Sequence, residues 1–255
     1  MVVSMPAQSN PNLSVGQFAE RYRREMIPLS KPFSYFFAAL PLTEEDIKEY
    51  LEEPIAALPP SISSRLPKIS ILLVPYLDKG THKAGEMVCL EKPGKDRVSW
   101  SSRFVSKEEA VFGFALKDQE VADYHYRFYH LLAALVAEQW DAGSQKQYHA
   151  LIREELNSNI HGEVDDESWH LKQGLLRRQK TLRNETKLFR DYARQSFIDS
   201  LTLYLHGICC DIDVETGPRQ LQSRYLRKRL KLLMTQYPPP KGYVLFPEDA
   251  NKKKE

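Results

Sequence analysis

Cysteine is scarce in this sequence: Cys89, Cys209 and Cys210 are the only three in 255 residues. Two neighbours and one distant thiol make no disulfide framework in a chain of this length. No CxxC pair occurs, which removes the common zinc-finger spacing. Long apolar runs are missing too. Ile71 to Val74 and Leu131 to Ala137 are the longest candidates, far short of the roughly 18–20 residues that span a bilayer. The first residues lack the basic start and apolar stretch of a signal peptide. HExxH, GxSxG, Walker A and GxGxxG patterns are absent, so no familiar hydrolase or nucleotide site is announced. These absences lead to the expectation of a cytoplasmic protein with reduced thiols and weigh against an enzyme.

Charge of one sign does not dominate: the formal net charge is only +2. Its distribution is uneven. Pro41 to Glu53 holds six acids (Glu44, Glu45, Asp46, Glu49, Glu52, Glu53) against Lys48 alone. Leu171 to Lys241 holds 15 bases and six acids. Such asymmetry marks either solvated helix faces or a face for an anionic partner.

What is present suits a globular core. Hydrophobic residues make up 42%, with eleven Phe and thirteen Tyr, enough to bury a substantial interior. Ser14 to Met26 suits a short helix. Phe33 to Leu40, bounded by Pro32 and Pro41, reads as a short core piece. Thr43 suits an N-cap with Asp46 three residues on, and Pro54 ends or bends the helix that follows. Ile69–Leu77, Glu86–Glu91, Val98–Phe104 and Ala110–Leu116 read as three or four antiparallel strands separated by turn material such as Lys92-Pro93-Gly94-Lys95.

From Asp118 the pattern is helical. A helix is expected over about Val121–Glu138, with His125, Phe128, Leu132 and Leu135 on one face. A second is capped by Ser144. A third stretch, from Asp165 to Gly207, would be about 60 Å long as one helix. It is expected either whole or broken near Asn184 or Ser196, with Gly207 as its C-terminal stop. A last helix opens at Pro218 and ends before Pro238-Pro239-Pro240. The fold class expected is therefore α+β, mostly α: a small antiparallel sheet followed by a helical bundle. The expected layout is a disordered N-terminus over 1–13, a single domain over 14–246 and a charged tail over 247–255. Within that domain, 69–117 forms the sheet region and 118–236 the helical region.

Three dense patches carry chemistry. Ile208 to Glu215 alternates apolar and polar residues, the period of a half-buried strand. Asp211, Asp213 and Glu215 would share its outer face, where three carboxylates suit Mg²⁺ or Mn²⁺ in a phosphoesterase. An edge strand kept charged against aggregation gives the same pattern. His206, Cys209 and Cys210 offer zinc ligand types, but adjacent cysteines on a strand point to opposite faces. In Ala122 to Ala133, His125 and His130 lie about 140° apart on a helix and do not face one ion. An aromatic core helix accounts for that stretch.

The third patch is basic: Arg177, Arg178, Lys180, Arg183, Lys187 and Arg190, then Arg224, Arg227, Lys228, Arg229 and Lys231. Helices of this kind lie along phosphate backbones or meet acidic proteins. The leading expectation is a non-catalytic binding or regulatory module contacting nucleic acid or an acidic partner through these residues. A metal-dependent phosphoester hydrolase and a structural subunit of a larger assembly are the alternatives.

Overall fold

A computed structural model describes residues 13–80, 85–107, 109–178, 185–210 and 219–246. In chain order its elements begin with α1 (Val15–Arg21), β1 (Ile27–Pro28) and β2 (Phe33–Phe37). A helical stretch follows: α2 (Glu44–Ile47), a π-helical turn over Lys48–Glu52, α3 (Glu53–Ala56) and α4 (Pro60–Ser63). Then come β3 (Lys68–Val74), β4 (Tyr76–Asp78), β5 (Met87–Cys89), β6 (Val98–Ser99), β7 (Ser101–Val105) and β8 (Glu109–Ala115). Helices complete the chain: α5 (Val121–Glu138), α6 (Ala142–Asn157), α7 (Asp166–Arg178), α8 (Lys187–Cys209) and α9 (Ser223–Gln236). The fold is α+β with helix predominating. No described helix is long and apolar enough to cross a membrane.

The chain divides into two compact units, Met1–Ala56 with Ser63–Leu131, and Ala57–Ile62 with Leu132–Glu255. The first unit holds a five-stranded sheet in the order β1-β2-β3-β8-β7 and a three-stranded one in the order β5-β4-β6. The expectation of a purely antiparallel sheet is corrected here: β2, β3 and β8 run parallel, and only the outer strands β1 and β7 reverse. The physical reason is that β3 and β8 are covered on both faces. Such strands carry unbroken apolar runs, ILLV and AVFGFA here, where a half-exposed strand alternates.

Within Phe33 to Leu40, expected as a short core piece, Phe33–Phe37 is a full strand of this sheet. Pro32 sits just ahead of it, needs no ladder donor there, and accepts from Ile69 N–H at 2.6 Å. One face of the sheet presents Phe36, Leu72, Val74 and Val111 to Val15 and Phe18 of α1 and to Tyr22, its C-cap. Gly113 is needed on that face: a Cβ there would sit 3.0 Å from Val15. The other face turns Phe33 and Phe114 toward Tyr124 and Phe128 of α5.

Thr43 caps the helical stretch as its sequence predicts, exchanging hydrogen bonds with Asp46 in a capping box. Pro54 then shapes it. In the π turn, Glu53 N–H reaches back to Lys48 O. The next donor in that series would be Pro54, which has no N–H. Glu49 O therefore lacks its π-helical donor, and His125 Nε2 contacts it at 2.9 Å. One turn further along α5, Tyr129 Oη donates to Pro54 O at 3.0 Å. His125 is thus a packing residue, as an aromatic core helix implies.

In the second unit α8 packs against α6, α7 and α9, and Trp140 stacks on Phe197 at 3.9 Å. The long third stretch holds two described helices, α7 to Arg178 and α8 from Lys187; Asn184 lies outside the described residues, and Ser196 lies within α8. Gly207 also lies within α8, which runs on to Cys209 and is capped by Cys210 N–H on His206 O. Helix α6 takes Asp141 as its cap, accepting from Ser144 N–H, where Ser144 itself was the expected cap.

Candidate functional site

Unusually for a helical core, α8 buries Ser196, Asp199, Ser200, Thr202 and His206 among its apolar residues. Buried polar groups demand partners, and Ser196 and Ser200 find them in one network that draws on every helix from α6 to α9. Its centre is Arg229 of α9, fully buried. Nε donates to both oxygens of Glu155, at 3.2 and 3.1 Å. Nη1 donates to Glu163 Oε2 at 2.7 Å and to Ser196 Oγ at 2.8 Å. Nη2 donates to Glu155 Oε2 at 2.6 Å and Glu163 Oε1 at 3.0 Å. A guanidinium has five N–H donors, and these contacts use them all.

Glu163 is delivered by a short irregular segment. Its N–H donates to Arg219 O at 2.8 Å and its carbonyl accepts from Leu221 N–H at 2.9 Å, zipping it to the residues just before α9. Gly162 makes the approach possible: its φ is +82°, and a Cβ there would lie 2.2 Å from Gln220 O. The Glu163 carboxylate also accepts from Lys172 Nζ at 3.2 Å and from the Tyr192 hydroxyl. Lys172 Nζ donates in addition to Gly162 O at 2.8 Å. Tyr148 of α6 bonds Ser196 and Ser200 of α8.

The electrostatics close on themselves. Two carboxylates, one guanidinium and one ammonium sum to zero. Burial alone would push the Glu163 carboxyl up, but the charge and hydrogen bonds of Arg229, with Lys172 and Tyr192, hold it down at about 2. Burial pulls the Lys172 ammonium below its usual range, against the pull of Glu163. Burial drives the Tyr148 phenol up to about 12. Asp199 stands beside this network and differs from it. Burial raises its carboxyl to about 7, and Ser168 and Gln195, its polar neighbours, offset this only in part. With every guanidinium donor taken and no net charge, the network is a lock that fixes the helices.

The lock decides what α9 shows to the outside. At about 100° per residue, Leu226, Arg229, Leu230 and Leu233 occupy one arc of roughly 100°, and all four are buried. Arg224, Arg227, Lys228 and Lys231 occupy an equal arc on the opposite side. Arg224, Lys228 and Lys231 are exposed and Arg227 is half-buried. No acid occurs between Ser223 and Gln236. Lys228 Nζ meets Glu154 at 2.7 Å, with both side chains about half exposed. Two rings lie among these bases: Tyr225, with the Arg224 guanidinium 4.6 Å from its centroid, and Phe246, with that of Arg227 at 4.2 Å and Lys231 Nζ at 5.9 Å.

The residues expected to bind phosphate therefore separate. Arg229 is corrected out of the set, because it is buried and fully engaged. Arg177 and Arg178 are exposed in the last turn of α7, where cations complement the helix dipole. Lys187 is exposed in the first turn of α8, and Arg190 donates to Glu185 O at 2.6 Å. Lys180 and Arg183 lie outside the described residues, as do Asp211, Asp213 and Glu215. Because α8 extends past Gly207, His206 and Cys210 stand one helical turn apart, with ligand atoms within 4.8 Å of each other. They supply two of the four ligands a structural zinc site uses. Sequence reasoning missed Glu155, Glu163 and Lys172. Helical phase is the one signal for Glu155, which shares a face with Tyr148 and Ile152, and Glu163, on an irregular segment, has none. Comparison of the chain with protein families, with curated proteins and with solved structures finds no match.

Proposed function

We propose that the second unit is a nucleic-acid-binding module that contacts the phosphate backbone through the outward face of α9. The observation that carries this reading is the stripe of Arg224, Arg227, Lys228 and Lys231, on an acid-free helix and opposite its buried arc. An ordinary solvated helix face mixes charge signs, whereas a face of one sign, held in fixed phase by a buried lock, suits a polyanion. Charges aimed at a phosphate backbone carry no sequence information, so the expected binding is independent of sequence. Each phosphate neutralised releases counterions, which makes salt dependence the diagnostic property.

The test is binding of the full chain to fluorescent random single- and double-stranded RNA and DNA at about 50 and about 200 mM salt. The expected result is binding that weakens steeply between those salts, and that Arg224→Ala with Lys228→Ala weakens further. Each lost contact should lower the salt slope by about one. No binding at the lower salt overturns the reading. Stronger binding to poly-glutamate than to nucleic acid overturns it in favour of an acidic protein partner.

A further inference from the structure

Resting on that phosphate-contact reading, we infer that the ligand of the α9 face is a single-stranded polynucleotide whose bases stack beside Phe246 and Tyr225. The chain ends α9 at Gln236 and reverses direction. Tyr243 N–H donates to Pro240 O at 3.1 Å, and Gly242 takes φ +98°, a conformation that favours glycine. The turn carries Phe246 back onto the helix, where its ring meets Arg227 and Lys231. Val244, on the same returning segment, is 50% exposed. An apolar, aromatic segment is thus laid along a basic stripe.

A duplex hides the faces of its bases, so it has no use for rings in this position. A single strand offers both a backbone charge and a π face at every nucleotide. Guanidinium groups held against rings add flat cationic surfaces on which a base also stacks. The geometry divides the work: Arg224, Lys228 and Lys231 meet phosphates, while Phe246 with Arg227, and Tyr225, meet bases. Stacking of this kind tolerates any base.

The deciding experiment compares three probes by fluorescence anisotropy. They are a single-stranded oligothymidylate of about twelve nucleotides, an abasic phosphodiester strand of equal length, and a hairpin duplex. The expected result is affinity for the base-bearing strand about tenfold above the abasic one. Phe246→Ala should lower that ratio several-fold, with Tyr225 retaining part of it, while leaving abasic binding and its salt slope unchanged. Phe246→Leu, which keeps an apolar side chain against Arg227, should lower the ratio equally and so separates stacking from a folding defect. Equal affinity for base-bearing and abasic strands, or preference for the duplex, overturns this inference and leaves the phosphate reading standing. Failure of all three probes to bind overturns both.

Discussion

Arg229 and Glu163, 66 residues apart in sequence, meet at 2.7 Å with neither side chain exposed to solvent. Taking both charges out of water costs several kcal/mol each, and only good geometry with further hydrogen bonds repays it. Here the repayment is complete, since Glu155, Ser196, Lys172 and Tyr192 satisfy the rest. Removing one partner is therefore costly, because it strands the others. Arg229→Met leaves Glu155 and Glu163 facing each other without their main counter-charge and should cost about 3–5 kcal/mol. Urea unfolding followed by circular dichroism reads this. A loss near that of an ordinary surface substitution would show that the carboxylates find other partners.

Two buried carboxyls should make stability depend on pH in opposite senses. The Asp199 carboxyl is raised from 3.8 to about 7 by burial, so the folded chain holds its proton more tightly than the unfolded chain. The stability it supplies is full below about pH 4 and is lost as pH rises toward 7. Glu163 is lowered from 4.5 to about 2, so its contribution is present above about pH 4.5 and lost as pH falls toward 2. Asp199→Asn should stabilise the protein at pH 8, by an amount on the order of 4 kcal/mol at most. The advantage should vanish near pH 4. Urea midpoints of both proteins at pH 4, 6 and 8 test this, and a constant difference across that range would contradict it.

Local signals in the sequence proved legible where the deciding interaction is local. Thr43 and Asp46 are three residues apart, and their capping box is visible in the sequence. Arg229 is the opposite case. It stands in a basic run that suggests solvent, and its partners Glu163 and Glu155 lie 66 and 74 residues away. Only its phase gave warning, for it falls between Leu226 and Leu233 on the apolar side of α9. The sheet shows the same limit. Unbroken apolar runs in β3 and β8 point to strands covered on both faces, but their direction is set by the helical crossover that precedes β3, which no short window contains. Gly207 was misleading because a glycine near an expected helix end resembles a cap, whereas packing carries α8 one turn further.

Gly162 should resist substitution. Its φ of +82° is one that L-residues adopt only with strain, and an added Cβ would sit 2.2 Å from the Gln220 carbonyl oxygen. The obstacle is backbone, so it cannot turn aside as a side chain would. Gly162→Ala should cost about 2–4 kcal/mol, from the strained conformation plus the displaced zipper between Glu163 and residues 219–221. It should also loosen Glu163 from Arg229. Combined with Arg229→Met it should therefore cost less than the two changes taken separately, and additive losses would show that the zipper and the lock are independent.

The π turn makes a finer distinction between two hydrogen bonds of one helix. Tyr129 serves Pro54 O in a fully buried place, whereas His125 serves Glu49 O on a residue whose side chain is exposed. Water can replace the second donor more easily than the first. Tyr129→Phe should therefore destabilise residues 44–56 by about 1–1.5 kcal/mol, and His125→Phe by less. Hydrogen–deuterium exchange reads this directly, because a loss of about 1.4 kcal/mol speeds local opening about tenfold. Faster exchange over 44–56 in Tyr129→Phe than in His125→Phe is the expected order. The reverse order would mean that the carbonyl freed by Pro54 is the one the helix cannot leave without a donor.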